Sequence, residues 1–155
     1  MELEKAQKIA NEIKQSLNSH CWKVQVAGSV RRQRPVVEDI DFVLVPKERY
    51  MVDIILMGLG KLKMSGFHLS RVQTDSIPLD IYFATPETFA TLLLIRTGSV
   101  ESNIRLCAAA KRRGWRLRAD GSGLFNEKGE RIAGDSERSI YKALRLVYQE
   151  PWDRG

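Results

Sequence analysis

The sequence predicts an α+β fold in two lobes, and three observations carry that reading. Residues 2–18 place Leu3, Ala6, Ile9, Ala10, Ile13 and Leu17 at helical spacing. The runs "CWKVQVAGS", "DIDFVLVP", "HLSRVQTDS" and "IPLDIYFA" are rich in β-branched and aromatic residues and are bounded by turn formers, as strands are. After Thr85-Pro86 the pattern turns to short helices and small residues, so a lobe boundary is expected near 84–86, giving lobes 1–85 and 86–155. A chain of 155 residues is long enough for one compact domain or two small lobes with a sizeable core.

Taken in order, the helix over 2–18 leads into a strand that stops at Gly28-Ser29. The next strand, 39–46, sets Ile40, Phe42 and Leu44 on one face and Asp39, Asp41, Val43 and Val45 on the other, and Pro46 closes it. Residues 47–66 read as a short helix ending at Gly58 or Gly60, followed by a turn. Two strands, 68–76 and 77–84, are joined tightly near Ser76. Thr85 is expected to cap a helix with Pro86 at its first position. Helices at about 86–96 and 99–113 flank the Thr97-Gly98-Ser99 break, and Gly114 stops the second. "WRLRADGSGLFN" reads as strand, turn and strand. Asp135 is expected to cap a last helix with Ile140, Leu144 and Val147 on one stripe.

No apolar run reaches the roughly 18–20 residues of a membrane span, and the charged, amphipathic start does not resemble a secretion signal. Cys21 and Cys107 lack metal spacing and fit reduced thiols, so a cytoplasmic, membrane-free protein is expected. The formal net charge is +6, and its placement matters more than its size. Arg96, Arg105, Lys111, Arg112, Arg113, Arg116 and Arg118 stand against a single acid, Glu101, within 23 residues. Such a window attracts phosphates, although a solvated helix face would read the same way.

The chemistry concentrates earlier in the chain. Asp39 and Asp41 occupy alternate positions of one strand and so share a face. Burying two adjacent carboxylates costs heavily unless a cation lies between them. Oxygen-only ligands suit Mg²⁺ or Mn²⁺. Asp80 interrupts an otherwise apolar strand between Leu79 and Ile81 and is a third candidate. Three carboxylates on neighbouring strands could hold two divalent ions about 3.5–4 Å apart, the arrangement of in-line phosphoryl transfer. Gly28-Ser29 at a strand-to-helix turn offers backbone N–H groups and a hydroxyl to a phosphate. Arg31 and Arg32 follow at a helix start, where the dipole disfavours cations unless an anion is bound.

This order of residues resembles the nucleotidyltransferase superfamily and, within it, the X family of DNA polymerases. The family's "GS-x-RR" turn, "D-x-D" pair and later aspartate correspond to Gly28-Ser29-Val30-Arg31-Arg32, Asp39-Ile40-Asp41 and Asp80. "TGSVESNIRLCAAAKRRGWRL", Thr97–Leu117, resembles the family's "TGS…N…R…A…KG" stretch, and Glu150-Pro151-x-x-Arg154 its C-terminal end. The resemblance implies a nucleotidyltransferase palm with a mixed β-sheet flanked by helices, then a small α+β C-terminal lobe. The family's amino-terminal lyase and duplex-binding regions are expected to have no counterpart in these 155 residues. It implies that Asp39, Asp41 and Asp80 bind two Mg²⁺ or Mn²⁺ ions, with Asp80 also serving the primer 3′-hydroxyl. Gly28, Ser29 and Arg32 would hold the triphosphate, Gly98 and Ser99 would shape the sugar pocket, and Asn103 and Arg105 would face the nascent pair. With Arg105, the cations Lys111, Arg112, Arg113, Arg116 and Arg118 are the expected DNA contacts.

The function implied is a monomeric, template-directed polymerase that takes dNTPs and fills short gaps in primer-template or gapped duplex DNA. A template-independent terminal or small-molecule nucleotidyltransferase is the alternative, and a non-catalytic nucleic-acid-binding module is a third reading. The chain departs from the family twice. Ile95-Arg96 stands where the family has Tyr-Phe, which implies reduced exclusion of ribonucleotides. Glu38 stands where a glycine precedes the D-x-D pair, and it either points away or adds a fourth carboxylate.

Overall fold

The computed structural model describes residues 1–155, which divide into two compact units, Met1–Ala84 and Thr85–Gly155. The architecture is α+β, as the sequence predicts.

In the first unit, α1 (Leu3–Asn18) buries Ala6, Ala10, Ile13 and Leu17, the stripe that its spacing requires. Five strands follow in one mixed sheet: β1 (Cys21–Ala27), β2 (Ile40–Pro46), β3 (Lys61–Ser65), β4 (Leu69–Gln73) and β5 (Pro78–Phe83). Their spatial order is β1-β2-β5-β4-β3. The β2–β5 pair is parallel, and every other pair is antiparallel. Ile40, Phe42 and Leu44 of β2 join Leu79, Ile81 and Phe83 of β5 in a core closed by α1 and by Val52 and Leu56 of the helix Arg49–Leu59. Each fully buried side chain of this size contributes roughly 1.5–3 kcal/mol. That face therefore fixes the sheet and turns Asp41 to the other one.

The loop between β1 and β2 is pinned to the start of α1. The Met1 amino group donates to the Val37 carbonyl at 2.9 Å, and the Leu3 N–H donates to the Pro35 carbonyl at 3.1 Å. The helix expected after Gly28-Ser29 is a single turn, Gly28–Arg31. Gln33 at φ 58° and Pro35 end it.

The second unit packs α4 (Phe89–Thr97), α5 (Val100–Arg112) and α6 (Glu137–Ala143) with the small sheet β6 (Arg116–Leu117), β7 (Leu124–Phe125) and β8 (Arg131–Ala133). Here the helices are numbered with the Gly28–Arg31 turn as α2 and Arg49–Leu59 as α3. Leu94, Leu106, Ala110, Leu124, Ile140 and Leu144 form the core.

Several expected boundaries shift. Residues 61–65 form a strand where a turn is expected, because β3 is an exposed edge whose lysines follow no apolar alternation. Thr85 does not cap α4. It closes a turn with Thr88, the Thr88 hydroxyl accepting from the Thr85 N–H at 2.9 Å, and the helix starts at Phe89. Nor does Asp135 cap α6, since its carboxylate accepts from Arg131 Nη1 at 2.9 Å. Ser136 caps instead, in a capping box with Ser139. Val147 leaves the expected stripe and is 89% exposed, because the helix ends at Ala143 and Arg145 turns the chain at φ 56°.

Arg154 is the largest fully buried side chain. Its Nη1 donates to Glu137 Oε2 at 2.7 Å, its Nε to the Gln149 carbonyl at 3.0 Å and its Nη2 to the Tyr148 hydroxyl at 3.2 Å. A buried charge of this kind is tolerated only when every donor has work. Arg154→Met should therefore destabilise the second unit by about 3–5 kcal/mol, with Glu137→Gln in the same chain recovering part of the loss. Urea unfolding curves measure both, and a loss below about 1 kcal/mol would contradict the assignment.

Candidate active site

The three acidic residues meet because of strand register. Asp41 of β2 lies directly opposite Asp80 of β5 in the parallel pair. Asp39 precedes β2 by one residue and lies two positions before Asp41, hence on the same side. One oxygen from each of the three carboxylates lies within 4.8 Å of the others, and all three residues are half-buried. Like charges placed opposite each other destabilise a sheet, so this cluster is expensive as a structural element. An all-oxygen donor set that converges in this way fits Mg²⁺ or Mn²⁺.

The turn after β1 borders the cluster. Ala27 pairs with Asp41 across β1 and β2, so the chain enters α2 beside the carboxylates. Gly28 adopts φ +59°, and a Cβ built there would collide with Asp41 Oδ2. Glycine is thus required twice, for its backbone conformation and for the space the carboxylate fills. Ser29 lies within the turn and Arg32 directly follows it, both half-buried, so Arg31 and Arg32 stand at the end of this single turn and not at a helix start as expected.

Electrostatics report the crowding. Burial pushes the Asp39 carboxyl above its ordinary value, and the neighbouring charges of Asp80 and Glu38 push it further. Arg32 and Arg71 act in the opposite direction. Glu38 is exposed and stands outside the converging triad.

Arg71 is the site residue that sequence reasoning passes over. It lies on β4 opposite Asp80, and its Nε is 3.2 Å from Asp80 Oδ1. The tight turn joining β4 and β5 fixes that register, so counting outward from the Asp75-Ser76 bond on both sides pairs Arg71 with Asp80.

The second unit places the remaining candidates as follows. Gly98 at φ +69° precedes a cis peptide to Ser99. Ser99 caps α5, its hydroxyl accepting from the Ser102 N–H at 3.2 Å. The Asn103 amide donates to the Ile95 carbonyl at 2.9 Å, and Arg105 donates to Gln149 Oε1 at 3.0 Å. Lys111, Arg112 and Arg116 are exposed. Arg113 is also exposed, with its guanidinium donating to the Leu144 carbonyl at 3.3 Å and facing Trp115. Arg118 stacks over the Phe125 ring at 4.0 Å.

Comparison with known proteins adds to this geometry. Residues 92–155 match the family model of the DNA polymerase beta thumb. The DNA polymerase/3′-5′ exonuclease PolX of Bacillus subtilis (strain 168) is 33% identical over 157 residues, covering 94% of this chain and 27% of that protein. The chain thus spans about a quarter of the bacterial relative. Repair DNA polymerase X of African swine fever virus (isolate Pig/Kenya/KEN-50/1950) is 24% identical, with 84% of this chain and 80% of the viral protein covered. A crystal structure of Leishmania infantum polymerase beta, a ternary P/T complex, shares the fold at a TM-score of 0.86 and 18% identity, over 100% of this chain and 76% of its own.

A stability consequence follows from the raised Asp39 carboxyl. A group whose folded value lies above its unfolded one binds protons more readily in the native state, so metal-free stability falls as pH rises through the folded value. Asp39→Asn should therefore melt at a higher temperature than the parent in chelator at pH 7.5. That advantage should shrink as pH falls toward the ordinary carboxylate value of 3.8. Melting curves across that range check the expectation, and an advantage independent of pH would rule out this origin.

Proposed function

We propose that the chain is an X-family DNA polymerase, in keeping with its similarity to the polymerase beta thumb and to two polymerases X, and that it joins a nucleotide from a dNTP to a primer 3′-hydroxyl under template direction, filling short gaps in duplex DNA. The observation that carries this reading is the convergence of Asp39, Asp41 and Asp80 within 4.8 Å beside the Gly28-Ser29 turn.

In this mechanism Asp39, Asp41 and Asp80 would hold two Mg²⁺ or Mn²⁺ ions. Bound there, such ions lower the pKa of the attacking hydroxyl and neutralise charge on the transferred phosphate. The Ser29 hydroxyl and the first N–H groups of the turn orient the triphosphate, since a helix start leaves those donors without helical acceptors. Arg32 would offset the negative charge that develops on the departing pyrophosphate as the 3′-oxygen, its proton given up to Asp80, bonds to the α-phosphorus and the bridging P–O bond breaks. Asp80 is assigned to the 3′-hydroxyl. Gly98, Ser99 and Asn103 are assigned to the nucleotide, and Arg105, Lys111, Arg112, Arg113, Arg116 and Arg118 to DNA phosphates and the duplex edge.

Primer extension tests the reading directly. With Mg²⁺ or Mn²⁺, the chain should extend a primer across a short gap in template order. Asp41→Asn and Asp80→Asn should each lower kcat by about 10³-fold or more while circular dichroism stays unchanged. Absence of any incorporation by the parent chain overturns the proposal, and extension that ignores the template favours the terminal-transferase alternative.

Sugar choice gives a second measurement. Ile95 lacks the planar ring that would crowd a 2′-hydroxyl, and the Ile95 carbonyl is held by the Asn103 amide at 2.9 Å. The ratio of kcat/KM for a dNTP over its rNTP should fall below about 10⁴, the level a tight sieve achieves. Ile95→Tyr should raise that ratio, and a parent ratio already above it would place the gate elsewhere.

A further inference from the structure

Asp80 sits in one row of side chains running across the sheet. On one side, in register on parallel β2, is the like charge of Asp41. On the other, in register on antiparallel β4, is the opposite charge of Arg71, whose Nε lies 3.2 Å from Asp80 Oδ1. The Asp80 side chain is 17% exposed, while that of Arg71 is 52% exposed. The carboxylate is therefore fixed, and the guanidinium that meets it rides on a stem half in solvent. A half-exposed ion pair is individually weak, so the guanidinium can leave without dismantling the fold. While it stays, it places one positive charge next to an oxygen that a divalent cation needs.

We propose that Arg71 is a built-in counter-ion that occupies Asp80 until a divalent cation displaces it, and so sets the metal concentration at which the site fills. This rests on the reading of the acidic triad as a metal site. An arginine suits the role because its charge is permanent at any working pH and its planar fork matches a carboxylate. A structural ion pair between β4 and β5 would not change metal affinity. A residue that merely orients Asp80 for metal would weaken binding when removed. Displacement makes the opposite forecast: loss of the cation tightens metal binding.

The experiment measures free Mn²⁺ by electron paramagnetic resonance during titration of the full chain, without nucleotide or DNA. The parent is compared with Arg71→Gln, Arg71→Lys, Asp80→Asn and the Arg71→Gln/Asp80→Asn double variant. Arg71→Gln should bind Mn²⁺ about tenfold more tightly, as expected for removal of one charge a few ångströms from a divalent ion. Arg71→Lys, which keeps the charge, should stay near the parent. In the Asp80→Asn background the effect of Arg71→Gln should largely vanish, since the displaced partner is gone. Unchanged or weaker Mn²⁺ binding by Arg71→Gln overturns the proposal, as does an equal tightening in the Asp80→Asn background. If Arg71→Gln loses native circular dichroism, Arg71→Met, which keeps the apolar stem, takes its place with the same criteria. If the parent binds no Mn²⁺ at millimolar concentrations, the triad itself is not a metal site, and both readings fall together.

Discussion

Two carboxylates held side by side on parallel strands are the constraint from which the rest of the first unit follows. Asp41 and Asp80 face each other across β2 and β5 with Asp39 beside them, and nothing in sheet energetics favours that arrangement. The strands stay together because their opposite faces are committed to the core. Ile40, Phe42, Leu44, Leu79 and Ile81 are all buried, and a slip of one residue would turn them to the face that carries the acids while driving the acids into the core. Apolar burial on one face therefore supplies the free energy that holds like charges together on the other.

The surroundings of the triad divide into parts that make room and parts that supply charge. Gly28 makes room, because any side chain at that position would displace the Asp41 carboxylate. The loop before β2 is tied to the start of α1 by the Met1 amino group and the Leu3 N–H, which limits how far Asp39 can retreat from its neighbours. Arg32 and Arg71 supply positive charge from two directions and oppose the rise that burial and the neighbouring acids impose on Asp39. Such crowding, only partly offset by the two arginines, leaves the protein less stable than its packing alone would allow.

Much of this was legible in the residues. The alternation in 39–46 already separated Ile40, Phe42 and Leu44 from Asp39 and Asp41, because a strand has a fixed period of two. Asp80 stood out as a charge within an apolar run. The adjacency of Asp41 and Asp80 was not legible, since parallel pairing of β2 with β5 is a tertiary choice that no local pattern encodes. The edge strands β3 and β8 were missed because their exposed, charged residues carry no apolar alternation. The helix caps at Thr85 and Asp135 were misplaced for a chemical reason. The Thr85 hydroxyl does accept from the Thr88 N–H at 3.3 Å, but the turn it closes ends before the helix starts at Phe89, and Arg131 holds the Asp135 carboxylate.

The parallel pairing also bears on the order of events when the chain folds. Antiparallel neighbours such as β4 and β5 meet across a short turn, but β2 and β5 are separated by all of α3, β3 and β4. Contacts of that sequence separation close slowly, because loop entropy is lost before the contact rewards it. The Asp41–Asp80 pair lies on the joint that unites the β1–β2 pair with β5, β4 and β3, so its repulsion is met at the step that closes the sheet. A joint partly formed at the barrier divides such an effect between the folding and the unfolding rate. Relief of that repulsion, by whatever cation performs it, would be felt in both.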